Sequence, residues 1–294
     1  MRNAVVFLLR TSKDHEEEYL EQYDRFIRSY KKYYCENIGN NFFIILKGND
    51  NERIKNKIKE ETNIRINLFE CDDKTFDIGA YFNFHCKYKN IFDSYIFFNS
   101  HSEINGNNWF DYLSSKIQSQ EYDLVGSTVC LSSMKGPKNI KLNLQYIIWF
   151  LYLRFLGLRY YSFLQPIFFK LEKFNHIKFK SYPNPHIRTN AFCINSQFFD
   201  KFFSSVYYPT NKFHIHLLES SNLGLSQFVR SNGGRMSIVT INGSYINEDQ
   251  WHCNPCFNAD NNVQPLIIDN QIRNFYKKSR KKREFISFSI WGQL

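Results

Sequence analysis

The chain has 294 residues, 43 % hydrophobic and 18 % aromatic, with 38 Lys+Arg against 28 Asp+Glu for a formal net charge of +10 at pH 7. So much apolar surface excludes a largely disordered chain, and 12 Gly with 7 Pro exclude collagen-like or low-complexity sequence. The length lies near the size at which a single core stops growing, so one elaborated domain is expected over a string of modules.

Val5–Leu9 is a short apolar run of the kind a buried strand makes, closed by Arg10-Thr11-Ser12. From His15 to Tyr34 the residues Tyr19, Leu20, Tyr23, Phe26, Ile27 and Tyr30 recur at helical spacing. Glu16–Glu18 near the start and Lys31-Lys32 near the end suit the dipole of that helix. Phe42–Leu46 predicts a second strand, Arg53–Glu61 a polar helix and Ile66–Phe69 a third strand. Phe76–Tyr88 predicts a helix, Ser94–Phe98 a fourth strand, Asn107–Ile117 a helix and Leu124–Val129 a fifth strand. This alternation implies βαβ crossovers and a largely parallel sheet, which binds ligands at the carboxyl ends of its strands. The loops to watch are therefore 10–14, 47–50, 72–79 and 99–103. No Walker sequence, GxGxxG, GxSxG or HExxH occurs, which removes the commonest nucleotide and hydrolase labels.

Leu142–Leu158 is very apolar, but Arg154 interrupts it, Gly157 weakens it and Arg159 follows. Its clean length falls short of the ~20 residues of a membrane span, which leaves a core or interface helix or one lying in a membrane surface. Strand-like sequence returns over Ile187–Ile194, followed by helices at Phe198–Phe203 and Leu217–Arg230 and a strand at Met236–Ile241. Six cations stand between Lys277 and Arg283, a solvated tail or helix face that would be attracted to anionic lipid. Seven scattered Cys and an apolar start too short for a signal peptide point to a reduced, cytoplasmic protein. Cys253 and Cys256 are spaced as half a zinc knuckle, but no second such pair exists and a turn at Pro255 is the favoured reading.

Phe76-Asp77-Ile78-Gly79-Ala80-Tyr81, the strand end Phe98-Asn99-Ser100, the stretch Pro183–Phe192 and the late Asp269-Asn270-Gln271-Ile272-Arg273 share a pattern. It resembles the family-two glycosyltransferases of the GT-A fold, and more strongly a bacterial glycosyltransferase-like group associated with polysaccharide synthesis. Pro183–Phe192 is the most specific of the matches. The resemblance implies an α/β, Rossmann-like fold with a mostly parallel mixed sheet flanked by helices. It also implies a nucleotide-diphospho-sugar donor across the ends of the first four strands. Thr11 and Ser12 would border the nucleoside, and Asp77 and Gly79 the ribose and diphosphate.

Asn99 and His101 fall where the family carries its two D-x-D carboxylates. A divalent cation, Mn²⁺ or Mg²⁺, wants carboxylate oxygens, so either His101 and Glu103 rebuild a metal site or the mechanism is metal-independent. In the second case Arg188, or His186 if protonated, would stabilise the leaving diphosphate. Glu219 matches the family's base, which takes the acceptor hydroxyl proton. The bland alternative places Glu219 in the first turn of a helix. Gln227, Asp269 and Gln271 would face the acceptor, while Trp109 and Trp251 are either sugar platforms or core.

The expected organisation is a nucleotide-sugar-binding half (1–131), a helical insertion (132–181), an acceptor-side half (182–276) and a basic tail (277–294). The expected function is sugar transfer to a glycan or lipid-linked acceptor in surface polysaccharide synthesis, at the inner face of the plasma membrane. A non-catalytic carbohydrate-binding or assembly subunit is the rival reading. Nucleic acid is not an expected partner, because the positive charge is concentrated in one tail and is not interleaved with aromatics.

Overall fold

Residues 2–48, 52–133, 179–209, 211–253 and 264–291 are described by the structure, a computed structural model. Each early strand is followed by a helix that returns the chain to its starting edge, so successive strands pair in parallel. β1 (Asn3–Arg10), α1 (Glu16–Lys32), β2 (Phe42–Lys47), α2 (Glu52–Lys59), β3 (Asn67–Cys71), α3 (Phe76–Tyr88) and β4 (Ser94–Phe98) follow one another in this way. After them come β5 (Glu103–Ile104), α4 (Trp109–Gln118), β6 (Leu124–Gly126), β7 (Val129–Cys130), β8 (His186–Ile187) and β9 (Ala191–Asn195). Three helices, Ser196–Ser205, Lys212–Ser220 and Leu225–Ser231, precede β10 (Met236–Val239) and β11 (Tyr245–Asn247). β12 (Ile267–Ile268) and the helices Asn270–Tyr276 and Arg280–Trp291 complete the described chain.

The main sheet has eight strands in the order β3-β2-β1-β4-β9-β6-β10-β11. β9 runs antiparallel to both its neighbours and β11 runs antiparallel to β10; the other pairings are parallel. The result is a mixed α/β fold with a mostly parallel sheet flanked by helices. Both faces of the sheet are covered, which is why β1 and β2 read as unbroken apolar runs. Val6, Leu8 and Phe97 face α3 and the helices near residue 200, while Val5, Phe7 and Phe98 face α1 and α4. Phe7 stacks on Phe26 with ring centroids 3.9 Å apart. Burying one such ring contributes about 1.5–3 kcal/mol.

Three predicted elements are split. Leu124–Val129 breaks at Ser127-Thr128, where Ser127 Oγ accepts a hydrogen bond from Ile267 N at 2.9 Å. Ile187–Ile194 breaks at Arg188–Asn190 between β8 and β9. Leu217–Arg230 is two helices, because Ser221 Oγ donates to Leu217 O and accepts from Leu223 N. Trp109 and Trp251 are buried, and their indole N–H groups donate to Tyr33 O and Ile246 O. Both are core residues and neither can serve as a sugar platform.

The apolar stretch Leu142–Leu158, nearly all of the expected insertion at 132–181, and Cys256 lie outside the described residues. Among the described residues no helix is long and apolar enough to cross a membrane. The basic segment is helical over Arg280–Trp291, with Ile286 packed against Ile272 and Phe275.

Gly48 closes β2 beside the end of β1 with φ 132°, and a Cβ there would meet Thr11 O at 2.1 Å. Gly48→Ala should cost on the order of 2–3 kcal/mol of stability in urea unfolding. An unchanged midpoint would show that the loop after β1 can move aside.

Candidate active site

The reversal of β9 decides which residues meet. Parallel strands β1, β2 and β4 end at one edge of the sheet, and an antiparallel β9 begins at that same edge. Phe98 pairs with Ala191, so Asn99 N reaches Asn190 O at 3.0 Å and the segment ahead of β9 lies over the ends of the other strands. A second pairing, Ile268 opposite Glu103 in the β5–β12 ribbon, brings Asp269 and the helix after it to the same place.

Three arginines, Arg188, Arg273 and Arg10, stand on this edge, each held by a carboxylate. Arg188 Nη2 donates to Asp269 Oδ2 at 2.7 Å and to Gln271 Oε1 at 2.8 Å. Asp269 Oδ1 accepts from Ile272 N at 2.8 Å, capping the helix Asn270–Tyr276. Arg273, one turn along that helix, donates to Glu103 Oε2 at 3.0 Å and to the His101 carbonyl at 2.9 Å. Lys47, buried at the end of β2, reaches Asp77 at 3.0 Å and Asp73 at 4.0 Å. Arg10 forks onto both oxygens of Asp73, at 3.0 and 2.9 Å.

Glu219 lies in the last turn of the helix Lys212–Ser220, where the dipole disfavours a carboxylate. The first-turn explanation for this residue is therefore wrong. Its carboxylate accepts a hydrogen bond from the Thr189 hydroxyl, and His216 Nδ1 stands 3.8 Å away. Burial raises the Glu219 pKa above the ordinary carboxylate range and the charge of Asp77 adds to it, while the Thr189 bond and Arg188 act in the opposite sense. Tyr81 is raised by burial and then by Asp77 and Glu219, so the two carboxylates share one neighbourhood.

The structure assigns several predicted residues to structural work. His186 Nδ1 lies 2.7 Å from Asn184 O, and burial lowers the ring pKa to about 4. Burial thus disfavours the charged ring that a phosphate-binding cation would require. Asp269 spends both oxygens on the protein, and Gln271 gives its Oε1 to Arg188 while remaining exposed. Gln227 is buried and accepts from Lys180 Nζ at 2.9 Å, although its Nε2 has no partner among the described residues. Thr11 is buried against β2, whereas Ser12 is partly exposed beside it. Gly79 is buried within α3, and Asp77 in its first turn is about half exposed.

The 99–103 turn does not fit a metal. Asn99 Oδ1 accepts from His101 N at 3.1 Å and lies 3.0 Å from Ser102 Oγ, so it holds the turn together. Glu103 is taken by Arg273, and burial lowers the His101 pKa. Among the described residues no three His, Cys, Asp or Glu side chains converge as a metal site. His101 and Glu103, expected to rebuild one, both meet Arg273, Glu103 through its carboxylate and His101 through its backbone carbonyl.

Sequence reasoning overlooked Lys47, Thr189 and Arg273. Arg273 carried a readable signal, since it lies four residues after Asp269 in a helical stretch and so on one face with it. Lys47 and Thr189 carried none, because their partners are distant in sequence.

No protein-family model matches the chain, and no curated protein is similar to it in sequence. Solved structures similar to it include glycosyltransferases and nucleotidyltransferases. GalNAc-T7 with UDP, GalNAc and Mn²⁺ is 15 % identical over 81 % of this chain and 42 % of its own, at TM-score 0.47. Core-mannan synthase A from Aspergillus fumigatus, in its Mn/GDP form, is 11 % identical over 68 % of this chain and 61 % of its own, at 0.39. A putative glucose-1-phosphate thymidylyltransferase from Bacillus anthracis, in complex with a sucrose, is 9 % identical over 98 % of this chain and 96 % of its own, at 0.47. The chain thus spans less than two thirds of the length of the first two.

A depressed histidine binds fewer protons folded than unfolded, so His186 costs the fold stability as pH falls from its ordinary value toward about 4. Against His186→Gln, the wild type should lose up to about 1.4 kcal/mol of unfolding free energy per pH unit in that window. A difference that stays flat with pH would mean that His186 is solvated.

Proposed function

We propose that the chain is a GT-A-like glycosyltransferase, moving a sugar from a nucleotide-diphospho-sugar donor to a glycan or lipid-linked acceptor in surface polysaccharide synthesis. The observation that carries this is Glu219. A carboxylate with a raised pKa stands on the same sheet edge as carboxylate-anchored guanidinium groups. Sugar transfer needs that combination, a base on one side of the anomeric carbon and positive charge on the other.

In the reaction the acceptor oxygen bonds to the anomeric carbon while the bond from that carbon to the phosphate oxygen breaks. The electron pair leaves with the nucleoside diphosphate, whose charge Arg188 is close enough to share. The acceptor's proton passes to Glu219, and attack from the face opposite the leaving group inverts the anomeric centre. The ends of β1 and β2 with Ser12 and Asp77 would receive the nucleoside and ribose, which gives residues 1–131 the donor and 182–276 the acceptor. The basic helix Arg280–Trp291 would hold the protein against an anionic membrane surface on the cytoplasmic side.

Release of nucleoside diphosphate from a panel of UDP-, GDP-, ADP- and dTDP-sugars, with water as surrogate acceptor, tests the reading. Glu219→Gln should lower kcat by roughly 10²–10⁴-fold and leave the donor KM unchanged. Wild-type kcat should rise with pH through an apparent pKa above the ordinary carboxylate range, because protonated Glu219 cannot accept the proton. Unchanged turnover in the folded variant would remove Glu219 as the base, and no release from any donor would favour a carbohydrate-binding subunit.

A further inference from the structure

Resting on the glycosyltransferase reading above, we propose that Arg273 takes the place of a divalent cation at this edge. Its guanidinium, fixed by Glu103 and the His101 carbonyl, binds the donor's diphosphate and neutralises it as the sugar leaves. A hard cation at the end of β4 would seek carboxylate and carbonyl oxygens from the turn that follows. Those oxygens exist here, Glu103 Oε2 and His101 O, and Arg273 fills the space between them at 3.0 and 2.9 Å. Two contacts from one planar group fix its orientation, and they commit only two of its five N–H donors.

The arginine is also placed to reach a ligand. Its side chain is 21 % exposed and that of Glu103 35 %, so the pair opens to solvent, whereas Asp269 beneath Arg188 is 2 % exposed. Arg25, on α1, lies close enough for its charge to act on Arg273, where Glu103 and Asp269 act in the opposite sense. Repulsion between the two guanidinium groups falls when a dianionic group docks. A guanidinium binds phosphate oxygens through paired N–H groups, so a diphosphate suits it in shape as well as charge.

Titration calorimetry with UDP, GDP, ADP and dTDP, each in Mn²⁺ and in excess EDTA, tests the assignment. We expect one nucleotide to bind with affinity unchanged within about twofold by EDTA, and Arg273→Met to weaken that binding by roughly tenfold to a hundredfold. Arg273→Lys, which keeps the charge and loses the fork, should fall between the two and guards against a variant that merely misfolds. Binding that requires Mn²⁺ would overturn the proposal while leaving the glycosyltransferase reading intact. Metal-independent binding that survives in folded Arg273→Met would overturn it equally. No binding of any nucleotide under either condition would overturn the glycosyltransferase reading itself.

Discussion

Asp269 is 2 % exposed, and its two oxygens do different jobs: Oδ1 starts the helix that carries Arg273, and Oδ2 fixes Arg188. A carboxylate buried this deeply survives only if it is paired and hydrogen-bonded on all sides. Removing it would strand a largely buried guanidinium, at a cost of about 3–5 kcal/mol by the usual measure of broken buried pairs. It would also uncap the helix that presents Arg273 to Glu103. Both of these guanidinium groups thus depend on one side chain, so its placement by the β5–β12 ribbon couples the end of the chain to the end of β4.

The segment 183–192 links the remaining parts, and each of its polar side chains has a separate bond to make. Asn184 Nδ2 donates to Ser220 O at 2.6 Å, holding the end of the helix that carries Glu219. Ile187 N donates to Ser226 Oγ at 2.9 Å, and Thr189 meets Glu219 itself. Asn190 Oδ1 accepts from Thr128 at 3.0 Å, and its carbonyl takes Asn99 N. A segment with that many non-interchangeable contacts tolerates few substitutions.

The fold was largely legible because its signals are local. Unbroken apolar runs over β1, β2 and β4 and helical spacing over α1 and α3 are properties of neighbouring residues, and Phe76–Tyr88 and Ser94–Phe98 are found at the residues predicted. Two of the split elements were illegible for the opposite reason: Ser127 and Arg188, where they break, bond residues distant in sequence, whereas Ser221 breaks its helix through local bonds to Leu217 and Leu223. The candidate site divides in the same way. Arg188 was visible as a charge in an apolar stretch, and Glu219 through its match to the base of the family the sequence resembles. His186 and Asp269 were visible too, but their function was misread, because only the structure shows that Asn184 O and Ile272 N use up their polar atoms.

Charge pairing then separates Glu219 from every other carboxylate at this edge. Asp73 answers to Arg10, Asp77 to Lys47, Glu103 to Arg273 and Asp269 to Arg188. Glu219 instead meets the neutral Thr189 hydroxyl, and the nearest histidine, His216, stands 3.8 Å away with its pKa lowered by burial. A group that must accept a proton at neutral pH needs a partner that orients it without neutralising it, and Thr189 meets that requirement where a lysine or arginine would not. The edge is therefore built as a ring of compensated charges around one carboxylate whose basicity is preserved, an asymmetry that structural stability alone does not require.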